Sequence, residues 1–265
     1  MYFSKYEACG NNFILIDNPH YKKYLNKRFI ERFCDSNHGA SADGLIYYDI
    51  KRNKMHIYNK DGSEASMCVN GFRALALHIY LNFDKNRKLK INVGNTRYQS
   101  YICDDGIITN FKKPRDSFTK HEIFFKDNSY ILYEMNYLTK NLVLIDVEPN
   151  LDLTLFIRNF FPNHNINFVK VLNRQEIKVK THENGVGFTE SCGSGSLNSY
   201  YILNSLNLIE DRISVLYLKD KAVIYKKNND YLYIKGPALL VYKGIYGGNY
   251  EKGTLYGVSN TFKWG

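Results

Sequence analysis

The sequence predicts a mixed α/β (α+β) protein built from two related domains, and three observations predict it. Short apolar segments of strand length alternate with a few helical segments along the 265 residues. The second half repeats the order of the first, and each half has a cysteine that opens a predicted helix. A chain of this length can bury a substantial core in one large domain or in two modest ones.

In the first half, short apolar or alternating runs predict strands, and apolar residues at helical spacing predict two helices. The predicted strands cover residues 1–6, 13–17, 44–48, 55–58, 89–93, 98–103 and 107–111. The predicted helices cover residues 26–34 and the stretch from Cys68 to Leu81. Residues 112–117 combine several charges with Pro114, which makes them the best candidate for a linker.

The second half follows the same plan after that linker. Its predicted helices cover residues 153–161 and the stretch from Cys192 to Leu206. Its predicted strands cover residues 130–133, 142–145, 166–171, 177–181, 215–218, 222–225 and 231–234. We therefore expect an N-terminal domain over 1–113 and a C-terminal domain over 114–247, with the tail of about 248–265 rejoining the first domain.

Composition narrows the class of protein. A hydrophobic content of 44% and a charged content of 23% are typical of a globular chain. No apolar run is long enough for a signal peptide or a bilayer span, so we expect a soluble, cytoplasmic protein with no membrane partner. The five cysteines are scattered and show no CxxC spacing, which argues against a disulfide scaffold and against a zinc site.

The formal net charge of +10 raises the possibility of nucleic-acid binding. Such binding is typically marked by a basic stripe or a recognition motif. Here the lysines are dispersed in short clusters, so we favour a basic solvated surface and expect no nucleic-acid partner. A non-catalytic basic binding module remains an alternative at this stage.

Two cysteines differ from the others in their surroundings. Cys68-Val69-Asn70-Gly71 opens one predicted helix, and Cys192-Gly193-Ser194-Gly195 opens another 124 positions later (192 minus 68). A helix start leaves backbone N–H groups without partners and carries about half a positive charge, which stabilises a thiolate and binds anions. Polar, glycine-rich surroundings are unusual for buried filler, whereas Cys9, Cys34 and Cys103 fit that role.

A pair of such thiols suits the inversion of an amino-acid α-carbon. One thiolate removes the proton from one face, and the opposing thiol returns a proton to the other face. The amides around the carboxylate stabilise the enediolate-like transition state. This chemistry requires no metal and no imine-forming cofactor, so we expect none.

Several groups of residues resemble one known family in the same order along the chain. Around the cysteines these are Asn59-Lys60-Asp61-Gly62-Ser63, Cys68-Val69-Asn70-Gly71-Phe72-Arg73, Asn173-Arg174, Glu183, Gly185, Gly187, Thr189 and Cys192-Gly193-Ser194-Gly195. Elsewhere they are Phe3-Ser4-Lys5, Gly10-Asn11-Asn12-Phe13, Ala42-Asp43-Gly44-Leu45 and Gly236-Pro237-Ala238. The chain resembles the diaminopimelate epimerase family, which epimerises amino acids without pyridoxal phosphate and has histidine racemase-like members.

The resemblance implies two pseudo-symmetric domains, each a mixed or antiparallel sheet around a central helix, with the active site in the cleft between them. It implies that Cys68 and Cys192 are the acid–base pair of a PLP-independent isomerase. It also implies a homodimer and a small amino-acid substrate. The residues it places around that substrate are Asn11, Asn59, Val69, Asn70, Asn165, Glu183, Asn184, Gly193 and Ser194, with carboxylate-binding amides at Val69, Asn70, Gly193 and Ser194.

Three departures from the family pattern bear on the substrate. The family has an arginine after the glutamate that binds the far carboxylate of diaminopimelate, and Asn184 stands there instead. The family's Asn-Pro-His motif is replaced by about Thr139-Lys140-Asn141, and Val69 replaces a glycine. An asparagine cannot supply a charged bidentate fork, so recognition of a second carboxylate should be weakened. The resemblance extends to relatives that racemise histidine, which makes histidine our leading specific expectation. The alternative is conversion of LL- to meso-diaminopimelate in lysine and peptidoglycan synthesis, with Lys140 replacing the lost cation.

Overall fold

The computed structural model describes residues 1–115, 117–227 and 230–247. The chain divides into two compact units, and the first contains Met1–Ile107 together with residues 237–247 while the second is Ile108–Gly236. From the sequence, we expected the domain boundaries to lie between residues 113 and 114 and between residues 247 and 248. Residues 237–247 belong to the first unit because they carry a strand that pairs with its first strand. The predicted return of the tail 248–265 lies outside the described residues.

The first unit contains two α-helices and a short 3-10 helix, Pro19–Tyr24. The helices are α1 (Lys27–Cys34) and α2 (Val69–Asn82). The strands are β1 (Tyr2–Ala8), β2 (Asn11–Ile16), β3 (Gly44–Asp49), β4 (Lys54–Asn59), β5 (Glu64–Ala65), β6 (Lys88–Val93) and β7 (Thr96–Cys103), followed by β8 (Gly106–Lys112), which leads into the second unit.

The second unit also contains two α-helices, α3 (Leu151–Arg158) and α4 (Gly193–Ser205). Its strands are β9 (Thr119–Phe125), β10 (Asn128–Tyr137), β11 (Thr139–Ile145), β12 (Asn165–Asn173), β13 (Glu176–Glu183), β14 (Gly187–Thr189), β15 (Arg212–Leu216), β16 (Lys221–Lys226) and β17 (Tyr231–Gly236). The last strand, β18 (Leu239–Ile245), belongs to the first unit.

The two units repeat one strand pairing. In the first, β1 lies antiparallel to β18 and β2, β2 parallel to β3, and β3 antiparallel to β4, which pairs antiparallel with β5 and parallel with β6. In the second, β10 lies antiparallel to β9 and β11, β11 parallel to β12, and β12 antiparallel to β13, which pairs antiparallel with β14 and parallel with β15. The predicted internal repeat is therefore a repeat of topology.

Each unit has its own hydrophobic core beside its first helix. In the first unit, Ile30 and Phe33 of α1 are buried against Phe3, Ile14 and Leu45. In the second, the core contains Leu153 and Ile157 of α3 with residues of β10, β11 and β12, namely Leu132, Leu142, Leu144, Ile166 and Phe168. Both helices begin at an asparagine whose side chain accepts a backbone N–H, which fixes the helix start.

The second helix of each unit, α2 or α4, is the central one. Helix α2 contacts β1, β2, β3, β4, β7 and β18, and α4 contacts β10, β11 and β12. Both are buried on most of their surface, including the polar residues of their first turns. A helix enclosed in this way must satisfy its polar side chains internally, which determines the geometry of the site.

The predicted α+β class, with a sheet and a central helix in each repeat, is confirmed. Short strands β5 and β14 and the strand β9 were not predicted. Two- or three-residue strands give no periodic signal, and β9 reads as four polar residues followed by three apolar ones next to a Pro-containing segment. Of the predicted linker 112–117, residue 116 lies outside the described residues. Within the described residues, no helix is long and apolar enough to cross a membrane.

Candidate active site

Cys68 is the N-cap residue of α2. Its backbone is extended, with φ −134° and ψ 112°, and its Sγ accepts a hydrogen bond from the Gly71 amide at 3.4 Å. The thiol replaces an acceptor that the helix itself cannot provide at its first turn. Since the side chain is only partly buried, a small molecule can approach it.

Cys192 is the N-cap residue of α4, and its local geometry is nearly identical. The backbone has φ −134° and ψ 110°, and Sγ accepts from the Gly195 amide at 3.4 Å. Here the residue is buried. Both sulfurs therefore lie where helix-start amides and the helix dipole stabilise negative charge.

The amides predicted to bind a carboxylate lie in the same first turns. Val69 and Asn70 are the first residues of α2, and Gly193 and Ser194 are the first residues of α4. The first helical backbone bonds are made only by the next turn, from Phe72 N–H to Cys68 and from Ser196 N–H to Cys192. These four amides therefore precede the first helical donors, which is the arrangement that binds anions. The Val69 side chain itself is buried.

In the first unit, a buried arginine organises the predicted residues Asn11 and Asn70. The Arg73 guanidinium donates from Nη2 to Asn70 Oδ1 at 2.6 Å, and Asn70 Nδ2 donates to Asn11 Oδ1 at 2.6 Å. Nη2 also lies 3.1 Å from Cys9 Sγ, and Nε donates to the Pro237 carbonyl. Arg73 is 0% exposed, so its bonds fix the side chains around the start of α2.

Asn59, at the end of β4, belongs to the turn that precedes Cys68. Its Nδ2 donates to Ser63 Oγ at 3.0 Å, and its backbone N–H donates to the Ser63 carbonyl. Gly62 in this turn has φ +75°, a conformation that favours glycine. Hydrogen bonds from the Ser63 hydroxyl and amide lower the pKa of Asp61, which keeps its carboxylate charged and the turn closed.

In the second unit, the predicted residues Asn165, Glu183 and Asn184 meet at one end of β12 and β13. Asn165 Oδ1 accepts from the Asn184 amide at 3.0 Å, and Glu183 Oε1 accepts from Thr189 Oγ1 at 2.7 Å. Glu183 lies nine positions before Cys192, as Asn59 lies nine before Cys68 (192 minus 183 and 68 minus 59). The two residues end equivalent strands of the repeat.

The sequence analysis missed Arg158, which ends α3 beside Asn184. Nη1 donates to Asn184 Oδ1 at 3.1 Å and to the Pro162 carbonyl, and Nη2 lies 2.8 Å from His182 Nδ1. Burial, and then the Arg158 charge, lower the pKa of His182, so its ring is neutral at pH 7 and accepts this hydrogen bond. A cation thus lies beside Asn184, the position where this chain lacks the arginine of the family pattern.

A buried polar network leads to Cys192 within the second unit. Ser194 Oγ lies 3.4 Å from Cys192 Sγ and accepts from Thr139 Oγ1 at 2.9 Å. Thr139 in turn accepts from Asn141, which is bonded to Asn167. The signal for this network in the sequence was an asparagine beside the apolar residues of each strand, Asn141 in β11 and Asn167 in β12.

Comparison with known proteins agrees with this geometry. The family model described as diaminopimelate epimerase matches residues 3–114. A diaminopimelate epimerase of Prochlorococcus marinus is 29% identical, over 91% of this chain and 97% of the relative. One from Methanococcus aeolicus is 28% identical over the same shares of the two chains. The chain is thus similar to diaminopimelate epimerases over most of its length.

Solved structures show the same fold in wider relatives. A phenazine biosynthesis PhzC/PhzF protein from Clostridium difficile matches with a TM-score of 0.69 at 13% identity, over 92% of this chain and 98% of that one. A hydroxyproline epimerase from Agrobacterium vitis, with bound trans-4-OH-L-proline, matches with a TM-score of 0.64 at 9% identity, over 92% and 91%. These solved structures support the fold, and the similarity to diaminopimelate epimerases makes the chain an isomerase of the PLP-independent racemase and epimerase class.

The resemblance to the diaminopimelate epimerase family, the fold and the isomerase class predicted from the sequence are thus confirmed. The structure brings Asn11 and Asn70 together in one unit, and Asn165, Glu183 and Asn184 together in the other. The roles of these residues and of the cysteines remain predictions. Burial raises the pKa of Cys34 to about 12, which fits its predicted place as core filler.

Proposed function

We propose that the chain inverts the α-carbon of a free amino acid by a two-base mechanism, with Cys68 and Cys192 as acid and base. The observation that carries the proposal is the matched geometry of two N-cap cysteines, each accepting a glycine amide at 3.4 Å. A general base must be deprotonated near neutral pH, and a helix start favours the thiolate. The two sulfurs exchange roles when the reaction runs in reverse.

The first-turn amides supply the electrostatic part of the proposal. Val69, Asn70, Gly193 and Ser194 bind the α-carboxylate of the substrate. As the α-proton leaves, negative charge grows on those oxygens, and donors already oriented towards them stabilise the transition state without reorganisation. Asn11, Asn59, Asn165 and Glu183 hold the remaining polar groups of the substrate.

Two substrates are proposed, and they differ in the charge of the distal group. The histidine proposal rests on the resemblance to histidine racemase-like relatives, together with the missing arginine at Asn184, which weakens recognition of a second carboxylate. Diaminopimelate is supported by the relatives, which are named diaminopimelate epimerase, and by the Arg158 guanidinium 3.1 Å from Asn184 Oδ1. We favour diaminopimelate, with Arg158 in place of the family arginine, because a guanidinium pairs well with a second carboxylate. Lys140 is exposed at the start of β11 and has a weaker claim to this role.

Proton exchange in heavy water tests the reaction. Incubation with LL- or meso-diaminopimelate, or with L-histidine, should give α-deuterated and inverted product. Cys68→Ser and Cys192→Ser should each lower turnover by about 10²–10⁴-fold, the usual loss for a general acid or base. Cys103→Ser is the matched control and should retain activity. Absence of α-proton exchange with every amino acid tried would overturn the proposal.

We further propose a homodimer in the cytoplasm. All five cysteines are free thiols, as expected in a reducing compartment. Phe124 and Phe160 of the second unit are 72% and 61% exposed, which supports association through that unit. Sedimentation equilibrium should give twice the chain mass of 31.0 kDa, and a single-chain mass would contradict the dimer.

A further inference from the structure

In the polar network beside Cys192, the donor and the acceptor of each hydrogen bond can be assigned. Two backbone carbonyls provide the starting point for this assignment. Asn167 Nδ2 donates to the Leu142 carbonyl at 2.9 Å, and Asn141 Nδ2 donates to the Thr139 carbonyl at 2.8 Å. A carbonyl oxygen can only accept. The NH₂ group of each asparagine therefore points to its carbonyl, and its Oδ1 points the other way.

With the amide orientations fixed, the next bonds follow. Asn141 Oδ1 accepts from Asn167 Nδ2 at 3.0 Å, and Asn167 Oδ1 accepts from Thr181 Oγ1 at 2.8 Å. The second proton of Asn141 Nδ2 goes to Thr139 Oγ1 at 3.0 Å. Both asparagines are 0% exposed, so water does not compete for these bonds and the arrangement is held firmly.

Two hydroxyl groups connect these amides to the Cys192 sulfur, and their donor and acceptor roles can be assigned in the same way. Thr139 Oγ1 accepts from Asn141 and donates its own proton to Ser194 Oγ at 2.9 Å. Ser194 Oγ, having accepted from Thr139, has its own proton left to donate, and Cys192 Sγ lies 3.4 Å away. The sulfur thus receives one donor from the Ser194 hydroxyl and a second from the Gly195 amide.

We propose that Cys192 is the thiolate of the resting enzyme, held in that state by the Ser194 hydroxyl, with Thr139 and Asn141 as positioning residues. Two donors aimed at one sulfur favour its charged form over the neutral thiol. The resting enzyme then begins with Cys192 as the base and with Cys68 protonated as the acid. The catalytic meaning of this inference rests on the proposed function, while the charge of the sulfur can be measured without turnover.

The matched variants are Thr139→Val and Thr139→Ser. Valine keeps the shape of threonine but removes the hydroxyl, so Ser194 loses its donor and can turn its proton elsewhere. Serine keeps the hydroxyl and should restore the wild-type behaviour. The full chain is treated with iodoacetamide across a pH series, and mass spectrometry of peptides gives a separate alkylation midpoint for Cys192 and for Cys68.

The wild-type chain should show a lower pH midpoint for Cys192 than for Cys68. Thr139→Val should raise the Cys192 midpoint by about one pH unit, the effect of losing one hydrogen bond to a charged group. Thr139→Ser should leave it unchanged, and the Cys68 midpoint should stay constant in both variants. A midpoint is used because, unlike a rate, it does not depend on how easily the reagent reaches the sulfur.

Two results would overturn the inference: a Cys68 midpoint below that of Cys192, or a Cys192 midpoint that is the same in Thr139→Val as in the wild type. Thiolate absorbance in the ultraviolet, taken as the difference between the wild type and Cys192→Ser, gives the same titration if the reagent fails to reach the buried sulfur. Failure of α-proton exchange together with a low Cys192 midpoint would reject the proposed reaction and leave the assignment of the thiolate intact.

Discussion

The starts of α2 and α4 share one backbone geometry and differ in what supports it. A methyl group added at Gly71 would meet the apolar side chains of Ile46, Met55 and Phe13 at 3.3–3.4 Å. A methyl group added at Gly195 would collide with the buried carboxamide of Asn167. The repeated fold therefore provides two equivalent sulfur positions, while different neighbours give the two sulfurs different surroundings.

The residue two positions after each cysteine shows the same difference. Asn70 is bonded to Arg73 and to Asn11, whereas Ser194 is bonded to Thr139 and lies against the sulfur. One helix start is thus supported by a buried charge and the other by a chain of neutral hydroxyl and amide groups. A two-base enzyme needs opposite protonation states on its two thiols, and unequal surroundings can set them.

The largest effect on stability is expected when Gly71 or Gly195 is replaced by alanine, which adds the methyl group considered above. Gly195→Ala should lower the free energy of unfolding by about 3 kcal/mol, since Asn167 cannot move without breaking its hydrogen bonds. Gly71→Ala should cost about 1 kcal/mol or less, because apolar side chains can shift by a few tenths of an ångström and alanine favours helix. Urea unfolding measures both, and equal losses would contradict the difference in support.

A smaller effect is expected at Arg158, the last residue of α3. Arg158→Gln should raise the KM for diaminopimelate by about ten- to a hundredfold, the value of a charged hydrogen bond to a carboxylate. The KM for an amino acid with one carboxylate should stay the same. Arg212→Gln, at the start of β15, is the control. An unchanged KM for diaminopimelate would remove Arg158 from substrate recognition.

The same substitution gives a pH test. The pKa of His182 is lowered by burial and then by Arg158, so the unfolded chain binds a proton more readily than the folded one. The contribution of the neutral His182 ring to folding stability is complete above the ordinary histidine pKa and is lost as the pH falls through the lowered value. Arg158→Gln should raise the pKa of His182 and reduce that loss, as an NMR titration of the ring can show.

The smallest effect is expected in the turn before Cys68. Asp61→Asn should cost about 0.5–1 kcal/mol, since the turn is exposed and water competes for its hydrogen bonds. Because the pKa of Asp61 is lowered in the folded chain, its carboxylate contributes to folding stability above the ordinary aspartate pKa. This contribution is lost as the pH falls through the lowered value. The hydrogen-exchange protection factor of the Ser63 amide, taken relative to the intrinsic rate at each pH, should fall in acid, while the turn at Gly185, which is preceded by Asn184 and not by a carboxylate, should not respond.

Much of the fold could be predicted from the sequence because its signals are local. The alternating segments that became β3, β4, β12 and β13 lie within a few residues of their predicted bounds. The cysteine motifs correctly marked the starts of α2 and α4, since a glycine three residues after each sulfur is a local feature. Strand β9 escaped prediction because its pairing with β10, rather than its own pattern, makes it a strand.

The sequence by itself determined the resemblance to diaminopimelate epimerases, the internal repeat and the two helix-start cysteines, because motif spacing and periodicity are local properties of the chain. Only the tertiary structure decided which distant side chains support them. Arg73 could be recognised as part of a motif, yet its bonds to Cys9 and Pro237 depend on packing across the first unit. Thr139, Asn141 and Asn167 are brought to Cys192 by strand pairing, since hydrogen bonds between residues far apart in sequence leave no spacing to read.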